Sequence, residues 1–557
     1  MEIMEADRKQ ILFIENDPHM ARSVPRRLKL AGYDVIVAQT TEEARRALAQ
    51  ELFQLAIIDI RVDDDRSDTD TSGFLLARQL PPTIPCLFHT AHDTKENIRE
   101  ALGSLGAEDI IAKDDPDGPR KLLTRVDELF RTSVGVNFAL AIESEMPLAA
   151  IACQLALAID DSQPTPRAHD LTLVIRRLFR EATTVRLTPL LPSAIAAIHA
   201  QSGATLFKAQ ERRPQGSTVP VVLKLGTQEN IAEEAARYRT SRPYIGGQRV
   251  AQLEGEAYSR GVGGLIYSLI GAEEIDGVHP LSEVLLREET DVVIHLLSRF
   301  FQQTFGRIYA DAQPTRLDLT PHYTASLGLT VPKLQARVRA LEPTLLTAST
   351  LPWAGLPSAL PNPLTLAIQD GAFRSFGEVV THTTLCHGDL HSRNILVDSE
   401  QHFWLIDFAR SAVAHSLRDF AELETDIKFH VLPPQSLADF FVFEQALTAP
   451  TDWAEEPNAI LLPTRLQQAF DIITALRRIA REHLTLTGSM DEYYQALFWH
   501  ALNVVRFQTL TPAHKQQALV SAALLGEQMR KGWLVSWLVG SSTALAWEGR
   551  TIHAKVT

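Results

Sequence analysis

Five short apolar runs alternate with five amphipathic stretches over residues 9–132. ILFI (11–14), DVIVA (34–38), LAIIDI (55–60), CLFHT (86–90) and DIIA (109–112) are followed in turn by ARSVPRRLKLAG, TEEARRALAQ, GFLLARQL, TKENIREALGSLG and RKLLTRVDELFRT. Strands that are apolar throughout are buried on both faces, so this alternation predicts a parallel sheet covered by helices on both sides. In such a sheet a functional site lies beyond the carboxyl ends of the strands. The polar residues there are Glu15, Asn16 and Asp17 after the first strand, Asp59 near the end of the third, Thr90 at the fourth and Lys113 after the fifth.

This sheet uses under a quarter of a 557-residue chain, which is too long for one core, so two or more domains are expected. Hydrophobic residues at 45% and charged residues at 22% indicate a globular protein. The net charge of −14 argues against bulk nucleic-acid binding. Cys86, Cys153 and Cys386 are scattered, which indicates neither a disulfide framework nor a zinc cluster. The charged start MEIMEADRKQ lacks an apolar signal core. The most apolar runs, 147–159 and 533–547, fall short of the ~20 residues of a spanning helix. A soluble, cytoplasmic protein without nucleic-acid or membrane partners is expected.

The polar set at the strand ends resembles that of the receiver domain of two-component response regulators, over residues 9–132. The resemblance implies a flavodoxin-like fold of five parallel strands, with Asp59 as phosphoacceptor, Thr90 as the residue that senses the phosphate and Lys113 as its countercharge. The Mg²⁺-holding acidic pair falls on Glu15 and Asn16. Here the chain departs from the family, because a neutral amide replaces a carboxylate and should weaken binding of a small, hard dication. Asp114 also stands where the family usually has proline, and the loop DDDRSDTDTSG (63–73) is unusually acidic. A histidine kinase or another signalling protein is the implied partner, and homodimerisation is an option.

Residues 134–184 read as a connecting segment, with DDSQPTPRAHD (160–170) as a linker. From about 185 to 547, strand patterns come first and helices follow. SGATLFKAQ (202–210) and VPVVLKLG (219–226) read as strands, ENIAEEAARYRT as a helix and GGLIYSLIG (263–271) as a strand leading into a connector. Helices then dominate, broken by the proline-rich 351–365. This order suggests a two-lobed α+β domain.

Within it, HGDLHSRNILVDSEQHFWLIDF (387–408) sets Asp389 five positions before Asn394, with strand ILV next and Asp407 closing a second short strand. A hairpin there would return Asp407 towards Asn394. One acid could accept a hydroxyl proton, while Asn394 and Asp407 could offer oxygen ligands to Mg²⁺ on nucleotide phosphates, the parts that phosphoryl transfer requires. The stretch resembles the aminoglycoside and choline phosphotransferase branch of the kinase superfamily, carried by His387, Gly388, Asp389, His391, Asn394 and the IDF at 406–408. That resemblance implies Asp389 as catalytic base, Asn394 and Asp407 as metal ligands, and His391 and Arg393 as cationic groups near the transferred phosphate. His387 and Cys386 read as structural.

Upstream, Lys224 fits the strand lysine that contacts phosphates, with Glu234 as its helix partner and Glu233 as the competing choice. SGA (202–204) would tip the phosphate-covering loop. Backbone groups of about Tyr267–Leu269 would meet adenine at a hinge. RDFAELETD (418–426) would brace the metal loop, with Arg418 and Asp419 as an internal pair. The combination further resembles a bacterial group with a ternary-complex-associated, phosphotransferase-like domain. Two functions are weighed. One is an ATP- and Mg²⁺-dependent phosphotransferase acting on a hydroxyl acceptor under receiver control. The other is a catalytically weak or inactive nucleotide-binding scaffold. The acceptor is not readable from the sequence.

Overall fold

The computed structural model describes residues 9–548 apart from 65–66, 68, 82–83, 133, 157–166, 191–203, 215–219, 246–250, 260, 270–276, 357–358, 459–460 and 487. The chain forms two compact units, one of residues 1–232 with 254–266 and one of 233–253 with 267–557.

The first unit opens with the expected α/β alternation: β1 (Gln10–Ile14), α1 (Met20–Leu30), β2 (Asp34–Ala38), α2 (Thr41–Gln50), β3 (Leu55–Ile58), α3 (Ser72–Ala77), β4 (Cys86–Thr90), α4 (Lys95–Arg99), β5 (Asp109–Ala112) and α5 (Gly118–Thr132). The strands lie parallel in the order β2-β1-β3-β4-β5. The register pairs Phe13 with Val37 and Ile57. Each face carries its own core: Ile11, Phe13, Leu87 and Phe130 on one side, and Leu12, Ile58, Phe74 and Phe88 on the other. This two-sided burial is why the strands read as continuous apolar runs.

Residues 134–184 are not a plain connector. Their described part forms β6 (Ala141–Ser144), α6 (Leu148–Ala156), α7 (Ala168–Leu178) and the start of β7 (Thr184–Pro189). With β8 (Ala204–Arg212), β9 (Pro220–Thr227), β10 (Gln252–Ser259) and β11 (Val262–Ser268) they build a six-stranded sheet in the order β10-β11-β9-β8-β7-β6. The physical reason is in α6 and α7. Ile151, Leu155, Leu171, Val174 and Ile175 are buried against Val185, Phe207, Leu223 and Leu225, an apolar surface that no solvated linker would carry. Of the proposed linker run, 160–166 lies outside the described residues, and so do Ser202 and Gly203 of the phosphate-loop reading. The helix after β9, α8 (Gln228–Ser241), starts in this unit and passes into the second at residue 233.

In the second unit β12 (His279–Pro280) adds to an antiparallel hairpin further along the chain. A long helix, α9 (Thr290–Ala310), precedes the sheet of β13 (Gln313–Asp318), β14 (Glu378–Cys386) and a later strand. The hairpin is β15 (Ile395–Val397) and β16 (Phe403–Leu405), and the third sheet strand is β17 (Ala412–His415). Helices α10 (Arg418–Asp426), α11 (Leu437–Leu447), α12 (Thr464–Leu484), α13 (Asp491–Val504) and α14 (Pro512–Glu548) follow. Aromatic contacts tie α9 to both the hairpin and α10: the ring centroids of Phe300 and Phe403 are 5.2 Å apart, and Phe301 stacks on Phe420 at 4.4 Å. Among the described residues no helix is long and apolar enough to cross a membrane. Cys86 and Cys386 are buried, Cys153 is exposed, and all three are free thiols.

Candidate functional site

At the carboxyl edge of the first sheet the structure brings Glu15, Asp59 and Lys113 together. Lys113 Nζ lies 2.6 Å from Asp59 Oδ2 and 2.7 Å from Glu15 Oε2. Glu15 is fully buried, and burial pushes its carboxyl up to about 7 even though Lys113 opposes the rise. Asp59 Oδ1 accepts the N–H of Ile60, which fixes the side chain at the strand end. Thr90 is buried, and its hydroxyl oxygen accepts the N–H of His92 at 3.2 Å. Asn16 is half-buried next to Glu15. Asp17 does other work: its Oδ1 accepts the N–H groups of His19 and Met20 and caps α1.

Two acids of the described part of the acidic loop, Asp63 and Asp70, are likewise held by hydrogen bonds within the protein. Asp70 Oδ2 accepts N–H groups from Asp63 and Asp64, and Asp63 bonds the N–H and hydroxyl of Thr41. Sequence reasoning missed Gly73. A Cβ there would lie 1.9 Å from the Asp59 carbonyl oxygen, so only glycine lets α3 approach the Asp59 backbone this closely.

The second constellation belongs to the second unit. Pairing of Ile395 with Leu405 across β15 and β16 puts Asn394 and Asp407 at the open end of the hairpin, where Ile406 N–H donates to the Asn394 carbonyl at 3.1 Å. Asn394 Nδ2 donates to the Asp389 carbonyl at 2.8 Å, which leaves its amide oxygen as the group for a cation. Asp407 adopts left-handed backbone with φ +66°, and the next residue, Phe408, packs edge-on against Tyr238 of α8 and against His387.

The loop that carries Asp389 is held from α10. Asp419, buried, accepts the N–H groups of His387 (2.7 Å) and Gly388 (2.8 Å), while Arg418 Nη2 donates to the Gly388 carbonyl at 2.7 Å. Burial lowers the pKa of His387, although Asp419 opposes the fall; its Nε2–H donates to the Ile406 carbonyl at 3.0 Å.

Arg393, expected beside the transferred phosphate, is engaged in an ion pair. Its guanidinium lies 3.5 Å from Asp426, a buried carboxylate that also takes the N–H and hydroxyl of Ser392. Burial alone would raise Asp426, yet Arg393, His430 and Ser392 hold it below the usual range. A buried carboxylate needs a countercharge, and Arg393 supplies it. His391 Nε2 stays 3.8 Å from Asp389 Oδ2. The residue that sequence reasoning missed here is Arg410, with Nη1 3.6 Å from Asp389 Oδ1. Its only signal was a cation two positions past the IDF.

Of the upstream residues, Lys224 is buried on β9, opposite Leu206 of β8. Glu234 is buried and accepts the Tyr267 hydroxyl at 2.5 Å, whereas Glu233 is mostly exposed and sits 4.0 Å from Arg237. Burial first, then the Glu234 carboxylate, holds the Tyr267 hydroxyl protonated. Leu269 is buried just past the end of β11. Among the described residues no group of three or more His, Cys, Asp or Glu has metal-holding geometry.

Comparison with known proteins follows this division. A family model described as response regulator receiver domain matches residues 11–127, and one described as ternary complex associated domain 9 matches residues 333–505. The chain is 30% identical over 134 residues to the transcriptional regulatory protein GltR of Pseudomonas aeruginosa, a match covering 23% of this chain and 51% of that protein. It is 28% identical over 128 residues to the phosphate regulon transcriptional regulatory protein PhoB of the same organism, covering 22% and 52%. The chain thus spans about half the length of the curated relatives it matches. A solved CheY-like receiver domain protein from Methanospirillum hungatei is 29% identical, with 22% of this chain and 94% of that one covered and a TM-score of 0.20. Residues 11–127 are a response regulator receiver domain, a signalling module with five parallel strands.

Proposed function

We propose that the part after the receiver is a kinase-like phosphotransferase that moves the γ-phosphoryl group of ATP to an alcohol, with the receiver as its regulatory module. The observation that carries this reading is the hairpin end: Asp389, Asn394 and Asp407 come from separate turns of the chain and are drawn together by the β15–β16 pairing and the Asn394–Asp389 bond. Asn394 and Asp407 would hold Mg²⁺, and the ion would neutralise charge on the nucleotide phosphates. Asp389 would take the acceptor's proton. Lys224 would meet phosphate oxygens, Glu234 would orient that lysine, and the backbone near Tyr267–Leu269 would receive the base. Arg393 is assigned to bracing the loop through Asp426. A histidine kinase or other signalling protein is the proposed partner of the receiver, acting on Asp59.

Calorimetry of the full chain with Mg²⁺ and a non-hydrolysable ATP analogue tests the reading. Asp407→Ala removes an oxygen ligand and a charge, so metal-dependent affinity should fall. Unchanged affinity in that variant would take Asp407 out of the site. The scaffold alternative keeps one supporting observation, the ion pair of Arg410 with Asp389, which occupies the base. Nucleotide binding without turnover on any acceptor would favour it.

A further inference from the structure

Within the first unit, a cavity of about 550 Å³ lies between the receiver and the six-stranded sheet. Its size falls in the range of small-molecule sites, about 300–1,000 Å³. Its charged lining comes from Arg78 and Glu108 of the receiver, Arg177 and Arg180 at and just past the end of α7, and Glu256 of β10. Leu80, Ile84 and Leu105 of the receiver give it an apolar wall. Arg78 pairs with Glu100, Glu108 Oε2 lies 3.9 Å from Arg125 Nη2, and the Glu256 carboxylate accepts the Tyr258 hydroxyl at 3.1 Å. Arg177 and Arg180 differ, because their hydrogen-bond partners are backbone carbonyls. Arg177 Nη1 donates to the Tyr258 carbonyl, and Arg180 Nε donates to the Arg177 carbonyl at 3.0 Å. Among the described residues neither has a carboxylate at ion-pair distance. The Arg180 guanidinium lies over Gly135, another lining residue, where an added Cβ would be 3.2 Å from both Cζ and Nη2. Capping carbonyls at a helix end is ordinary work for arginine, but it takes only a fraction of the N–H donors on each guanidinium. Burial first, and then the positive charge of Arg180, push Arg177 down to about 10, the mark of a pair short of negative charge.

We propose that this cavity binds a small organic phosphate monoester, with Arg177 and Arg180 on the phosphate and Leu80, Ile84 and Leu105 against the organic part. A guanidinium is a rigid fork of donors matched to phosphate oxygens. A phosphate monoester carries about −1.5 to −2 at pH 7, which matches a pair of arginines, whereas a monocarboxylate would leave one of them uncompensated. Arg177 is half-buried and Arg180 exposed, so the phosphate meets one cation at the wall and one at the solvent side. An occupant contacts the receiver on one side and α7 and β10 on the other. The site is independent of the phosphotransferase reading, which uses none of these residues.

Calorimetry of the full chain, without ATP or Mg²⁺, tests the proposal. Phenyl phosphate and inorganic phosphate are the probes, with phenol and sodium chloride at matched ionic strength as blanks. Both phosphates should bind, phenyl phosphate the more tightly, and the blanks should give no saturable heat. Arg180→Gln should weaken phenyl phosphate about tenfold or more, the effect of losing a charge-assisted hydrogen bond, with Arg180→Lys recovering part of it. Arg177→Gln should act in the same direction. Arg177 also holds the Tyr258 carbonyl, so if circular dichroism shows that this variant fails to fold, the exposed Arg180 decides alone. The variants separate this cavity from any phosphate binding at the receiver's Asp59 or at the proposed nucleotide site, which both substitutions leave intact. Absence of phosphate binding by the unaltered chain, or unchanged binding in a folded variant, overturns the proposal. A phosphoserine peptide that binds more tightly than phenyl phosphate, and loses that affinity in Arg180→Gln, overturns the small-molecule class.

Discussion

Gly388 shows how tightly single residues define the proposed catalytic loop. Its φ of +79° lies in the left-handed region, and a Cβ would come within 2.2 Å of the Arg410 carbonyl oxygen. Strain and overlap act together, so Gly388→Ala should destabilise the second unit by about 2 kcal/mol or more, read by denaturant unfolding. A neutral result would mean that the loop relaxes without cost. Asp389→Asn tests chemistry rather than stability. A general base acts in the transition state, so turnover should drop by roughly 10²–10⁴-fold with nucleotide affinity nearly unchanged. Full activity on a true acceptor would show that Asp389 is not the base. At this scale Asp389, Asn394 and Asp407 were legible because their spacing is set by a local hairpin. Arg410 was not, because its proximity to Asp389 depends on how the chain turns back after β16.

Between elements, α10, α11, α12 and α13 are joined by a buried charged cluster. Arg477 donates two hydrogen bonds to Glu424 (2.9 and 2.7 Å), Lys428 lies 2.7 Å from Glu424 and 3.0 Å from Glu444, and the Tyr493 hydroxyl donates to Glu424 at 2.8 Å. All four charged groups are nearly inaccessible. Arg477→Met would strand Glu424 with one countercharge in place of two, and breaking a buried pair in this way costs about 3–5 kcal/mol. The cluster also gives acid sensitivity with a definite sign. Burial would raise the Glu424 carboxyl, but Arg477 and Lys428 bring it from 4.5 down to about 2. A depressed carboxylate contributes stability that is complete above its unfolded value and lost as pH falls towards the folded one. Unfolding of the second unit should therefore become easier between about pH 4.5 and pH 2, and Glu424→Gln should flatten that dependence. An unchanged acid limb in the variant would exclude Glu424 as the titrating group. Legibility was uneven among elements too. The apolar strands and α8 were readable, but QLEGEAYS was not recognised as β10, an edge strand with half its residues polar. Residues 134–184 looked like a connector because the apolar faces of α6 and α7 flank a proline-containing polar run.

Across the whole molecule, the first unit is organised around α7. Leu171, Val174 and Ile175 belong to the core of the six-stranded sheet, while Leu173 joins Phe130 and Val134 in the core of the receiver. A helix apolar on opposite faces is buried against both sheets, and the six-stranded sheet carries Lys224. No local pattern announces that double packing; it arises from contacts distant in sequence. Asp59 and Lys224 thus follow or lie on strands of two sheets whose cores share α7.

Whether Asp59 is phosphorylated depends on charge. Lys113 is in place at 2.6 Å, but Asn16 supplies an amide where a second carboxylate would help hold Mg²⁺, and Asp17 is occupied in capping α1. A weaker cation site neutralises the incoming phosphoryl group less, so modification by acetyl phosphate should be slow and incomplete. Asn16→Asp should raise both its rate and its extent in a Mg²⁺-dependent way, read by intact-mass spectrometry with Asp59→Ala as the blank. Stoichiometric, Mg²⁺-dependent modification of Asp59 in the unaltered chain would show that the amide at position 16 does not limit the site.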